Sequence, residues 1–506
     1  MRVKLRIILL LAIVVISTRV KANESQSVAD PIYQLINDVY YLIDQNNLEA
    51  SVAAVSPTLT GEITIPTKIS FQEDEYSVTS ILEYAFAYCD NLTAINLPST
   101  IISIGKGAFF QCDKIKEITL PKSLTTLDDF PFVNCSALEN IQVASGNKNF
   151  RSEDGVLFTN DMKILCVYPE GKTNKTYETP YGVKEIGRYA CTNLYLQKVY
   201  LGEGVETIGF WSFAGCNNMT YISFEPSLKT IEERAFSACF NLVRMDIPES
   251  VSYIGDGAFA ACLALKKINV DEKNLYYCEV DGILYSKSKS SLIECPSGYT
   301  GRVEIPQTVR SIHREAFFNC FYVTGITLPE SITSIEYATF TQCMSLTSIQ
   351  IPEMVETIGE LAFYNCKNLK KITIGRNVKT IESEAFRNCG SLFDFYCYKA
   401  NPPEAADNIF LNSNIYKAVL HVQENCVGKY ESSDVWSEFG EIIGDLPNDP
   451  GLENGVETIS TDDIIRSRYI YDLHGKKVCN SMDEITKLNP GIYIINGKKV
   501  FIKRLP

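Results

Sequence analysis

A unit of 23 residues recurs along the chain, and it constrains the fold more than any other feature. Counted from the apolar residue that opens each unit, coils begin at Ile81, Ile104, Leu127, Ile186, Ile208, Ile231, Ile254, Ile312, Ile335, Ile358 and Ile381. Ten of these eleven place Phe five residues on and Cys eight residues on. The exception opens at Ile186, is one residue short, and puts Cys191 where Phe belongs. Within a unit, Leu92, Ile95 and Leu97 carry the alternation of a short strand with Ala94 and Asn96 facing out, and Pro98 ends it because proline lacks a ladder donor. The residues that remain before the next strand suffice for the crossover that parallel strands need. Ile104, Ala108, Phe109 and Cys112 line the inner wall of that return leg. One coil buries too little apolar surface to offset the entropy of ordering its backbone, so it needs neighbours on both sides. The fold class expected is a repeat solenoid: a leucine-rich repeat arc with a parallel β-ladder, irregular or short helical return legs, and a small C-terminal β module.

The rest of the chain is read against that array. Residues 1–22 have the form of a signal peptide: Arg2, Lys4 and Arg6 precede an apolar run from Ile7 to Ile16, and cleavage is expected after Ala22. Arg19 and Lys21 keep retention as an anchor open as an alternative. No other stretch is apolar enough for a membrane helix, so the mature chain is expected to have no transmembrane segment, with outer-surface attachment possible. Residues 23–80 read as an N-terminal cap hairpin, turning at Asn46-Asn47, and a partial first repeat. Residues 81–397 are the solenoid, with β-hairpin insertions near 144–182 and 271–308 marked by Asp154-Gly155 and Asp281-Gly282. Residues 398–446 form a C-terminal cap in which Val435, Trp436, Phe439 and Ile442 cover the last coil. A linker follows at 447–457, and 458–506 make a small strand-rich module with His474-Gly475 and Asn496-Gly497 as hairpin turns.

Seventeen cysteines in an exported chain would ordinarily mean disulfides. Ten of them occupy one slot of the repeat, where stacking aims every thiol the same way, a poor geometry for an S–S bond. They read as small buried hydrophobes, with a metal ladder as the lesser alternative. Cys166, Cys278, Cys295, Cys397, Cys426 and Cys479 lie outside that slot, and no spacing assigns them partners.

The repeat L-x-x-I-x-L-P-x-x-V-x-x-I-G-x-x-A-F-x-x-C, matched over about residues 58–397, resembles the BspA-like leucine-rich repeat family of cell-surface proteins. The tail "YDLHGKKV…GIYIINGKKVFIKR" is similar to the C-terminal sorting modules of the type IX, or Por, secretion route. The resemblance implies an exported protein, at the cell surface or extracellular, with a role in adhesion to host or neighbouring cells; it transfers no binding residues.

Chemistry is sparse. His313, His421 and His474 are far apart, and none of the nucleophile, zinc or phosphate-loop motifs occurs. No catalytic residue, cofactor site or metal site is expected. A formal charge of −14 and outward lanes without a basic stripe argue against nucleic acid. The outward lanes are the informative surface. Tyr221, Arg244, Lys267, Lys371 and Tyr396 are the candidate interaction residues, Tyr221 and Tyr396 being the aromatics found in those lanes. Sequons occur at Asn91, Asn134, Asn174 and Asn218, and those at Asn91, Asn134 and Asn218 fall in the turn before a strand, where turn chemistry explains them. The function expected is a non-enzymatic interaction protein that binds a protein or glycan of unknown identity. The alternative is a structural envelope protein with no specific ligand.

Overall fold

The computed structural model describes residues 31–447 and the strands Ile470–Tyr471, Lys477–Cys479, Gly491–Ile495 and Lys498–Ile502. The expected signal peptide, its cleavage point after Ala22, most of the linker and the turns at His474 and Asn496 lie outside the described residues. The chain divides into two compact units at residues 152 and 153.

In the first unit, Ile32–Ile36, Val39–Asp44 and Glu49–Val55 form an antiparallel meander. It turns at Asn37 and Asp38, both with positive φ, and again at Asn46-Asn47, where Asp44 accepts the Asn46 N–H at 3.0 Å. Glu49–Val55 then pairs in parallel with Asp74–Ile81, so the meander gives the first coil a hydrogen-bonded neighbour in place of a bare edge.

In the second unit each coil carries two parallel strands. A short ladder runs through Thr207–Ile208, Thr230–Ile231 and Tyr253–Ile254 at the opening isoleucines. A longer ladder, at the apolar-x-apolar motifs, includes Ser348–Gln350, Lys371–Ile374, Asp394–Cys397, Val419–Gln423 and Glu441–Leu446.

The return legs are irregular and built on two left-handed residues per coil. Three positions after the opening residue, Tyr84, Tyr189, Trp211, Arg234, Glu315, Ala338, Leu361 and Glu384 all have φ between 51° and 60°. Four positions further, Asn193, Asn319, Asn365 and Asn388 have φ between 59° and 62°, and asparagine is among the residues that tolerate this conformation. Each such residue costs roughly 1–2 kcal/mol of backbone strain. The bends are tolerated because they aim Phe and Cys inward and let the leg's N–H groups reach the next coil, as in Phe236 N–H to Ala258 O at 2.8 Å.

Inside, the phenylalanines stack. Phe213 and Phe236 are 5.4 Å apart with rings 1° from parallel, and Phe236 and Phe259 are 5.8 Å apart. The cysteines do more than fill space. The Cys239 thiol donates to Phe213 O at 3.2 Å, Cys366 to Phe340 O at 3.1 Å and Cys389 to Phe363 O at 3.1 Å, each reaching the preceding coil. A buried carbonyl of the leg thus gains a partner that alanine could not supply. The same bond shows that the repeat runs one coil beyond residue 397. Ala405 opens a twelfth unit with Phe410 five residues on, and Ser413 takes the cysteine slot, its Oγ donating to Phe386 O at 2.6 Å. The expected cap therefore begins with a coil, and Trp436, 1% exposed, packs edge-on against Phe395 and Phe410 of the last two.

All sixteen cysteines whose side chains are described are unpaired, including Cys166, Cys278, Cys295, Cys397 and Cys426. Cys479 lies in a strand whose side chains are outside the description. Burial pushes the thiols of Cys191, Cys239, Cys343 and Cys389 well above their ordinary range, and Cys366 up to about 12. The protonated thiol is a poor nucleophile. Iodoacetamide at pH 8 is therefore expected to leave the ladder cysteines of the native chain unmodified and to label them after denaturation. Peptide mapping of the alkylated chain checks this, and rapid native labelling at Cys239 or Cys366 contradicts it.

The insertions are more than hairpins. In the second, Tyr277–Val280 pairs antiparallel with Ile283–Ser286 across Asp281-Gly282, and Ile283–Ser286 with Ser291–Glu294, which rejoins the short ladder beside Ser311–Ile312. The sequence showed the last two strands; Tyr277–Val280 precedes the Asp-Gly signal and adds a third. Gly282 O accepts the Ile268 N–H at 2.9 Å, so the hairpin tip stands where the next long strand would pair. The Glu294 carboxyl, 1% exposed, accepts the Phe259 N–H at 3.2 Å, the role that a neighbouring coil's carbonyl plays elsewhere. Its burial holds its pKa well above the ordinary carboxylate range.

The four C-terminal strands form an antiparallel sheet in which Ile470–Tyr471 lies between Lys477–Cys479 and Gly491–Ile495, and Lys498–Ile502 pairs outside the latter.

Candidate functional site

The long ladder of the second unit, hydrogen-bonded in four separate runs, presents two outward lanes, and register fixes their members within each run. Thr176, Lys198 and Tyr221 align, as do Glu178, Tyr200 and Ser223. Arg302 aligns with Gly325, and Glu304 with Thr327. Ser348, Lys371 and Asp394 continue the first lane, and Gln350, Thr373 and Tyr396 the second.

This corrects the sequence reading in two ways. The short coil and the insertion coil belong to the lanes, so Tyr200 and Arg302 were missed. Both were signalled by the same apolar-x-apolar strand motif, in "QKVYLG" and "GRVEIP". With them restored, Lys198, Arg244, Lys267, Arg302 and Lys371 all stand at first-lane positions of a chain of net charge −14, spread over separate hydrogen-bonded runs of the ladder and not as one continuous stripe. Gly325, read as an outward surface position, is buried beneath Arg302.

The candidate residues fall into separate places. Tyr221, 41% exposed, meets Tyr200 with ring centroids 5.8 Å apart, making a solvent-facing aromatic patch. Arg244 follows one coil on and is held by Asp246, to which Asn269 also donates at 2.7 Å. Lys267 lies under the insertion, where the Gly282 turn packs so closely that a Cβ there would sit 2.5 Å from the Lys267 Cβ.

Lys371 and Tyr396 come together. The Lys371 ammonium stands 4.2 Å from the Tyr396 ring centroid, and on the other side His421 stacks on that ring at 4.0 Å, 3° from parallel. His421 Nδ1 is 2.9 Å from Asp445 Oδ2 and its Nε2 is 3.3 Å from Asp394 Oδ1. A histidine that alone suggested a cap strand thus organises two carboxylates that are distant in sequence. Both ring nitrogens face a carboxylate, and together with the stacked Tyr396 these fix the orientation of the ring. Among the described residues, no group of three or more His, Cys, Asp or Glu is placed to hold a metal ion, and no helix is long and apolar enough to cross a membrane.

No curated protein matches the sequence. Among solved structures, a leucine rich cell surface protein from Faecalibacterium prausnitzii is 25% identical, covering 74% of this chain and 96% of that one with a TM-score of 0.42. A leucine-rich repeat protein from Bacteroides ovatus is 25% identical over 72% and 94% of the two chains, TM-score 0.36. The pneumococcal vaccine antigen PcpA is 20% identical over 82% and 99%, TM-score 0.43. A profile of the BspA type leucine rich repeat region matches in six copies across residues 64–165, 184–300 and 294–416, well over half of the sequence. Together with the stacked Phe and Cys ladders, this establishes that the chain belongs to the BspA-type leucine-rich repeat family.

Proposed function

We propose that this protein is exported to the cell surface or beyond and binds a protein or glycan of a host or neighbouring cell through the strand face of its second unit, without enzymatic chemistry. The Tyr200–Tyr221 patch carries this reading, because large amphipathic rings held at low entropic cost by a rigid ladder are the residues that dominate interfaces. The cations of the first lane, which Tyr221 shares, supply steering toward an acidic partner. Export is supported by the basic-then-apolar leader with its cut after Ala22. The C-terminal strands, within residues 458–506, serve as a type IX-like sorting module, and residues 1–22, 23–80, 81–397 and 398–446 divide as leader, cap, solenoid, and a last coil with its cap. The structural envelope alternative gives these exposed tyrosines no role.

The double variant Tyr200→Ala/Tyr221→Ala tests the site. Binding to a panel of host cells, matrix proteins and glycans is expected to fall about tenfold or more, with the melting temperature unchanged. Unchanged binding by the variant, absence of any binder for the wild-type chain, or recovery of the chain from the cytoplasmic fraction overturns the proposal.

A further inference from the structure

The strands Val323–Thr327 and Ser348–Gln350 belong to consecutive coils, yet no ladder hydrogen bond joins them; one pairs only with Gly301–Glu304 and the other with Lys371–Ile374. The opening between them is a pocket of about 280 Å³ on the outward face. Its polar lining comes from Arg302, Thr327, Glu330, Ser348 and Gln350. The guanidinium reaches it because Gly325 has no side chain: a Cβ there would lie 2.9 Å from Arg302 Nη1. Arg302 Nη2 donates to Thr327 Oγ1 at 3.1 Å. Among the described residues no carboxylate pairs with Arg302, although many other cations of this acidic chain have one.

We propose that this pocket binds an acidic saccharide, with a sugar carboxylate on Arg302 and the sugar hydroxyls on the remaining lining. This rests on the reading of the strand face as the binding surface and names its ligand class. A guanidinium offers a planar fork that fits a carboxylate in two parallel hydrogen bonds. Thr327 and Ser348 can each donate and accept, and Gln350 adds an amide. The Glu330 carboxylate accepts only from a donor, which sugar hydroxyls supply and a bare inorganic anion does not. The pocket has no aromatic side chain of the kind that anchors most peptide ligands, and its apolar lining is Ile326, Leu328, Ile349 and Pro352. In the outward lane, Arg302, Gly325, Ser348 and Lys371 occupy four successive coils. The cations at the two ends stand roughly three strand spacings apart, about 14 Å or more, with the small residues between them as a floor. A second acid group along an oligosaccharide meets Lys371.

Titration calorimetry on the full chain tests the assignment, using a tetramer of galacturonic acid, the same tetramer with its carboxylates reduced to alcohols, and hexaglutamate. The uronate tetramer is expected to bind. Arg302→Gln is expected to weaken it by about tenfold or more at an unchanged melting temperature, with Lys371→Gln giving a smaller loss, and the reduced tetramer is expected to bind far more weakly. No uronate binding at millimolar concentration, equal binding of the reduced tetramer, or indifference to Arg302→Gln overturns the proposal, and hexaglutamate binding as tightly as the uronate replaces it with an acidic peptide. The Tyr200→Ala/Tyr221→Ala variant separates the two readings, because those tyrosines do not line the pocket. Uronate binding that survives in the wild-type chain while no cell or matrix partner is found defeats the adhesion reading alone, and the converse defeats this one alone.

Discussion

Replacing Phe236 by alanine is expected to lower the stability of the second unit by about 3–5 kcal/mol. The ring is fully buried and lies between Phe213 and Phe259, so the substitution empties one step of a stack and leaves both neighbours facing a void. Collapse into that void is opposed by the backbone on each side, because Phe236 N–H is bonded to Ala258 O and its own carbonyl receives the Cys262 thiol. In an array whose stability is a sum over neighbouring interfaces, the loss weakens coupling at one joint. Denaturant titration should then show a lower first midpoint and a broader or split transition. An unchanged unfolding curve contradicts the inward placement on which the whole repeat depends.

Glu315→Ala is expected to cost about 3 kcal/mol, the lower end of the range for removing one partner of a buried ion pair. Glu315 and Arg234 are 81 residues apart and form a pair whose side chains are 7% and 21% exposed. Between them in the array lies the coil of Gly257, and the pair passes over it because a Cβ there would come within 2.6 Å of a Glu315 carboxylate oxygen. Removing the carboxylate strands the guanidinium, with the Trp211 ring at 5.4 Å and the charge of nearby Glu233 as partial compensation. The joint replacement Arg234→Met with Glu315→Leu is expected to restore most of the loss, since a packed apolar pair carries no desolvation cost. Chemical denaturation of the two variants beside the wild type checks both statements; a single variant as stable as the wild type refutes the first, and a double variant less stable than Glu315→Ala refutes the second.

How much of this was legible can be seen residue by residue. Phe236 and Cys239 announce their burial through spacing alone, because one residue type at a fixed offset in coil after coil marks a position with one environment. The thiol's hydrogen bond to the preceding coil was not legible from cysteine, which packs like a small hydrophobe; Ser413 in the same slot was the available clue. Tyr200 and Arg302 were overlooked because the coil at Ile186 is short and the coil before Ile312 carries the insertion, so alignment by Phe and Cys passed over both while their strand motifs remained intact. His421 was unremarkable as a single residue, and its two aspartates come from neighbouring strands of the ladder.

By itself the sequence determined the period, the inward set and the direction of each strand, since hydrophobic spacing and the positions of proline and glycine are local properties of the chain. Only the tertiary structure decided which coils touch across an insertion, where the ladder opens, and which charges are left without partners. Those depend on contacts between residues tens of positions apart, so the Arg234–Glu315 bridge and the Arg302 pocket come into being only when the coils are stacked.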